Sequence, residues 1–254
     1  MTRRMRTDNT PLVSGKKQKS TENGNILFIV LIAVVLIGLL TAAIQSGNNS
    51  ETSNIDSETT AIRATEVQRY ASELERAINF IVRNEVSEND IRFAHADAHS
   101  DYGDLSADAD PTDQVFHRLG GGAEYRAPPQ GVNNGDAWEF HGTTALPNVG
   151  SSAADLIAVL PNVTQEFCQR INAVNNQASD QPEDTGTASA SASTSGSCLN
   201  PGAVARFDNA VQFYATPNTV DATTFTTLPA KQACVQCTGI TGSPYHFYHV
   251  IMSR

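Results

Sequence analysis

The sequence predicts an α+β fold in which a long N-terminal helix packs on a small C-terminal antiparallel sheet. Three stretches predict it. Residues 26–44 form a run of nineteen positions without a charge, ILFIVLIAVVLIGLLTAAI. Residues 55–86 repeat apolar side chains at three- and four-residue steps, the period of one helix face. About fifty C-terminal residues hold short aromatic and β-branched runs separated by turn residues. Once the N-terminal segments are set aside, the remainder of the 254-residue chain is enough for one domain with a real core.

Residues 1–24 read as a polar leader. Arg3, Arg4, Arg6, Lys16, Lys17 and Lys19 face only Asp8 and Glu22 there, whereas the rest of the chain carries eleven basic and twenty-five acidic residues. The positive-inside rule then puts the leader in the cytoplasm and the acidic part outside. An acidic exterior lacks the basic footprint that nucleic acid requires. At roughly 1.5 Å per residue, the run at 26–44 is about the shortest that spans a bilayer core, so residues 25–45 read as a transmembrane or stem helix. A signal peptide has a shorter apolar core and a small-residue cleavage site. Thr41, Ala42 and Ala43 offer such a site, so secretion behind a signal peptide stays an alternative.

Residues 46–54 include Gly47, Asn48 and Asn49 and are expected to loosen or end the helix. From residue 55 an exported domain begins. Val67, Tyr70, Leu74, Ile78 and Ile81 make one stripe, with Asp56 and Ser57 as N-cap candidates and Glu66–Arg69 and Glu73–Arg76 as i,i+3 pairs. Residues 94–135 read as a long loop, and residues 136–143 as the first strand. Residues 152–174 look helical, with a kink at Pro161. Residues 178–201 are low-complexity and read as a second loop. Strands are expected at 203–215, 231–238 and 245–252, the last two forming a hairpin across 239–244.

Four cysteines, Cys168, Cys198, Cys234 and Cys237, lie in the presumed exported part. An even count in an oxidising compartment reads as disulfides. The Cys234–Cys237 spacing also suits a redox dithiol or half a zinc site, but no βαβ unit and no second such pair accompanies it. The pairing Cys168–Cys198 with Cys234–Cys237 is preferred, and a crossed pairing of Cys168 to the sheet is its competitor. The segment with His95, Asp97, His99, Asp101, Asp104, Asp108, Asp110 and Asp113 has the oxygen ligands calcium uses. Gly103 and Pro111 sit wrongly for an EF-hand and no Glu closes a loop, so it reads as a solvated acidic loop. His246 and His249 are three apart in a strand and point to opposite faces. No nucleophile elbow, phosphate-binding loop or zinc-protease motif occurs. No enzyme and no cofactor is expected.

A basic leader with Lys16, Lys17 and Lys19, then Gly24, then the uncharged run 26–44, followed by an amphipathic helix and late cysteine-bearing strands, resembles the type IV pilin and type II secretion pseudopilin superfamily. The resemblance implies a pilin-like fold. It implies cleavage after Gly24 by a prepilin peptidase, leaving Asn25 as a new and often methylated N-terminus. It also implies an inner-membrane precursor that passes through the pilus assembly machinery into an extracellular or periplasmic filament of self-associated or related subunits. The chain departs from the family at Asn25, where Phe or Met is usual, and at Ile29, where a Glu usually stands. Two further readings are a membrane-anchored periplasmic binding module that does not polymerise and a secreted protein with a signal peptide.

Overall fold

The computed structural model describes residues 23–177, 182–184, 198–199, 206–208, 211–238, 242 and 244–254. The chain divides into two compact units, Met1–Asn54 and Ile55–Arg254. Helix α1, Asn23–Arg83, supplies residues to both. It runs through residues 46–54, where the sequence led us to expect a break. Glycine and asparagine each weaken a helix by less than about 1 kcal/mol, which here does not interrupt it. Asp56 and Ser57 are therefore interior residues and not caps. The helix stops where Asn84 donates back to the Phe80 and Ile81 carbonyls and Glu85 takes a φ of 68°, the left-handed turn that ends many helices.

In the second unit the apolar stripe is buried: Val67, Tyr70, Leu74, Ile78 and Ile81 all face the core, joined by Trp138, Phe140, Phe247 and Ile251. The expected Glu66–Arg69 and Glu73–Arg76 pairs do not form. Glu73 meets Arg126 instead, at 3.3 Å. Tyr70 positions that arginine, accepting its backbone N–H at 3.2 Å and lying 5.8 Å beneath its guanidinium. An i,i+3 pair contributes only about 0.2–0.5 kcal/mol, so a tertiary partner readily replaces it.

The sheet contains β1 (Glu139–Ala145), β2 (Asp155–Val163), β3 (Glu183–Asp184), β4 (Asn218–Thr219), β5 (Gln232–Cys237) and β6 (Tyr245–Met252), in the order β3-β5-β6-β2-β1-β4. The four central strands pair antiparallel, while β3 and β4 pair parallel at the edges. Helix α2, Gln165–Val174, follows β2 and opens with Thr164, whose side chain accepts the Phe167 N–H.

The expected pilin-like fold is overturned. The sheet is six-stranded and mixed, and two of its central strands come from the middle of the chain. Among the described residues, no helix is long and apolar enough to cross a membrane. The misreading has a local cause. The sequence predicts a kinked helix over 152–174, yet residues 155–163 form β2. This strand is buried on both faces: Leu156, Ala158 and Leu160 join the α1 side, and Ile157 and Val159 join a second cluster with Val220, Phe225 and Tyr248. A strand buried on both faces has no polar alternation to betray it. Pro161 is accommodated where the β2–β6 register shifts between Leu160 and Val163, with Asn162 at φ 52°.

The expected strand at 203–215 is also corrected. Its described residues lie alongside β1 without forming a strand. Phe207 donates to the Phe140 carbonyl and Tyr214 to that of Gly142, each at 2.9 Å. A Cβ on Gly142 would sit 2.9 Å from the Gln212 carbonyl oxygen and from the Phe207 ring, so this close approach requires glycine. The leader at 1–22, most of the low-complexity segment and part of the 239–244 turn lie outside the described residues.

Leu74 is fully buried in the cluster that joins α1 to the sheet. Leu74→Ala is expected to lower unfolding stability by about 2–5 kcal/mol in urea titrations. Arg76→Ala, on the exposed side of the same helix, should shift it by less than about 0.5 kcal/mol.

Candidate functional site

The cysteines pair in the crossed arrangement, Cys168–Cys234 and Cys198–Cys237, with Cα separations of 5.2 and 5.4 Å. The preferred pairing of Cys168 with Cys198 and of Cys234 with Cys237 is overturned. Strand parity gives the reason: Cys234 and Cys237 are an odd number of residues apart on β5 and point to opposite faces. Cys234 faces α2 and the α1-side core, while Cys237 faces the second cluster. Asn172, one turn beyond Cys168 on α2, accepts the Cys234 N–H at 2.8 Å and donates to its carbonyl at 2.9 Å. Two such bonds are made and kept in an oxidising compartment, so the protein is an extracytoplasmic one.

The acidic loop is built from short 3-10 turns at Ser100–Tyr102, Leu105–Ala107 and Pro111–Asp113. Its carboxylates are largely taken up in shaping those turns. Asp104 accepts from the Ser106 N–H at 2.9 Å and hydroxyl at 2.7 Å, and Asp108 accepts from the Asp110 N–H and the Gln114 amide. His95 and His99 accept the backbone N–H groups of Asp97 and Asp101. Among the described residues, no group of three or more His, Cys, Asp or Glu side chains is placed to hold a metal ion.

Sequence reasoning missed a buried charge network. Arg206 donates to Asp101 at 2.7 Å and to Glu139 at 2.9 Å, and Glu139 lies 3.2 Å from His141. Arg206, Glu139 and His141 are all buried. Arg206 lies more than sixty residues from Glu139 in sequence, so no local pattern announces the pair. Desolvating such charges is costly unless they are matched, and this arrangement matches them.

His246 and His249 do face opposite ways. His249 lies 3.1 Å from Glu75 of α1, tying the helix to β6. His246 accepts the Asn162 N–H at its Nδ1, at 3.4 Å. Burial pushes His246 down from 6.5 to about 4, against the opposing pull of Glu139 and with a small push from His141. Burial also lowers His249, while Glu75 partly restores it.

The remaining feature lies in the first unit. Every large apolar side chain of α1 from Phe28 to Leu40 is 41–64% exposed, on all sides of the helix. The Thr41 hydroxyl turns back to the Ile37 and Gly38 carbonyls at 2.9 Å, so even this polar group leaves the surface apolar. Gly24 and Asn25 fall in the first turn of α1. Against family models, curated proteins and solved structures alike, the chain finds no match.

A neutral buried histidine makes the fold acid-sensitive. Unfolded His246 takes up a proton near pH 6.5, while the folded protein resists until about pH 4. Its contribution is thus fully present above pH 6.5, falls through that window and is lost below pH 4, a change of roughly 3 kcal/mol. Unfolding midpoints measured from pH 7 to pH 4 should fall more steeply for the wild type than for His246→Gln.

Proposed function

We propose that the protein is a structural subunit of a filament of the type IV pilus or pseudopilus kind, cut after Gly24 and assembled through its apolar N-terminal helix. The single observation that carries this reading is the surface from Phe28 to Leu40, apolar and exposed all round. A helix apolar on every side is a buried helix. At about 25 cal/mol per Å², leaving this surface in water is strongly unfavourable. The same segment of neighbouring subunits has the matching chemistry to cover it. The leader supports this choice: its six basic residues would keep the segment at a membrane until they are removed. The disulfides agree with a filament outside the cytoplasm. The second unit carries no part of the reading, since its fold is not that of the resembled family.

A second reading, a permanently membrane-anchored exported domain, draws on one observation. Ile29 stands where the resembled family has the Glu that pairs with a neighbour's N-terminal amine, and residues 26–44 contain no substitute charge.

Mass spectrometry of the N-terminus of the protein from its native envelope separates the readings. A chain beginning at Asn25, and its disappearance in Gly24→Ala, is expected for the filament subunit; an intact Met1 sinks that reading in favour of the anchor. Leu36→Asp provides an independent check. Leu36 is 59% exposed and lies outside the second unit, so the variant should fold its disulfide-bonded unit normally while losing sedimentable assemblies.

A further inference from the structure

We propose that the outer face of α1 between Ile62 and Arg83 is a docking surface for the acidic loop of a second copy of this chain. The proposal deepens the filament reading and rests on it. Ile62, Arg69, Arg76 and Arg83 recur every seven residues, close to two turns, so they form a line with a rise of about 10 Å per step. Arg69, Arg76 and Arg83 are exposed. Among the described residues none of the three makes an ion pair, and the acidic neighbour that might have served Arg76 is engaged by Arg126. Arg83 also complements the C-terminal end of the helix dipole, but Arg69 and Arg76 have no such local role.

Exposed arginines on a helix are ordinarily just solvated. Two further side chains set this face apart. Ile62 is 66% exposed and Phe80 52% exposed. They are eighteen residues apart, five full turns, and so lie on one side of the helix. Beyond the first unit, the large apolar residues left exposed are these two, Leu119 and Val174, among the described residues. Arginines interleaved with an exposed aromatic and an exposed aliphatic side chain have the composition of an interface core.

Charge identifies the occupant. From residue 55 onward the chain holds eleven basic and twenty-four acidic residues, so three arginines in one line are a local excess of positive charge. The complement is on the same chain. Between Phe93 and Phe116 there is no Lys or Arg, and Asp97, Asp104 and Asp110 are exposed. Hydrogen bonds from Ser106 hold the Asp104 carboxyl below its ordinary range, which keeps it ionised. The short turns fix the loop before contact, so little ordering is needed on docking. Two different patches, one positive and one negative, make a head-to-tail contact. Such a contact repeats from copy to copy without closing on itself unless the rotation happens to form a ring, as a filament requires.

The test uses the full chain carrying Leu36→Asp, in mild detergent, so that association through the apolar segment is removed. Sedimentation velocity is recorded at about 20 mM and about 500 mM salt. The starting chain should self-associate at low salt and at least tenfold more weakly at high salt. One variant adds Arg69→Glu, Arg76→Glu and Arg83→Glu; the other adds Asp97→Lys and Asp110→Lys. Each alone should associate at least tenfold more weakly, and an equimolar mixture of the two should recover association. Recovery also shows that both variants are folded. The milder pair Arg76→Gln and Asp110→Asn should move association the same way by a smaller factor. Self-association unaffected by the substitutions, or a mixture that does not recover while the milder pair has no effect, overturns the proposal. So does a chain that stays monomeric at low salt and instead loses binding to phosphatidylglycerol vesicles when the arginines are reversed. N-terminal processing is read separately. A chain that keeps Met1 yet shows the contact counts against the filament reading and not against the contact; a chain that starts at Asn25 without the contact does the reverse.

Discussion

The second unit depends on a sheet that is covered on both of its faces. The β2–β6 pair lies at its centre, and each strand sends alternate side chains into two separate cores. On one side α1 and α2 supply the cover. On the other it comes from the β1–β2 connection and from residues between Cys198 and Ala230 that have little regular structure. Irregular backbone covers a sheet poorly, because its own polar groups need partners. The disulfides meet this difficulty by fastening β5 on opposite sides: Cys234 to α2, and Cys237 to the irregular layer. Tyr248 and Asn218 add hydrogen bonds on the irregular side, from the Tyr248 hydroxyl to the Ala230 carbonyl and from the Asn218 amide to that of Cys198.

The same need for partners explains the treatment of the sheet edges. An open edge invites another strand. Along β5 the Asn172 side chain occupies both backbone groups of Cys234, and the residues around β3 take Gln236 and Thr238. Along β1 the Phe140 N–H goes to the Tyr102 hydroxyl, and the Phe140 and Gly142 carbonyls go to residues of the adjoining segment. Tyr102 also packs on Phe140 beside Phe93, so the edge is closed by apolar contact as well. These contacts take up backbone groups of β5 and β1 beside the two short edge strands.

What could be read in the sequence was what obeys a single period. The stripe from Val67 to Ile81 has one wet side and one dry side, and each predicted residue is buried. Strands β5 and β6 carried turn residues between them, and β6 aromatic side chains within. Where both sides are dry, the period vanishes: Leu156, Leu160 and Phe167 imitate a helix across a strand, a bulge and a helix start. The disulfide pairing was legible in principle, since two cysteines an odd number of residues apart in one strand face opposite ways, but proximity in sequence suggested a local bridge. Glu139 and Arg206 had no local sign at all. Glu139 lies inside the strand predicted at 136–143, and it is buried and matched by an arginine far along the chain. The apolar run at 26–44 was legible as a segment because composition alone defines it; what covers it is not a property of the one chain.

The two units present opposite chemical problems. In the second, among the described residues, nearly every large apolar side chain is inside, and buried Arg206 is matched by buried Glu139. In the first, α1 offers side chains such as Val34 and Ile37 to solvent at 64% and 62% exposure. A defect of folding would spoil both, since the mechanism that hides apolar surface is common to the chain. Among the described residues, the second unit hides most of it and the stretch from Phe28 to Leu40 leaves it exposed. That contrast marks the exposed surface as a place where association takes the role that packing plays elsewhere. An apolar cylinder without charge has little to fix its register or direction, because burial is non-directional. Any specificity in covering it therefore has to come from polar surface elsewhere on the chain. That places the weight of orientation on charged surface of the second unit, where an unpaired row of arginines and a loop free of cations are the available complementary pair.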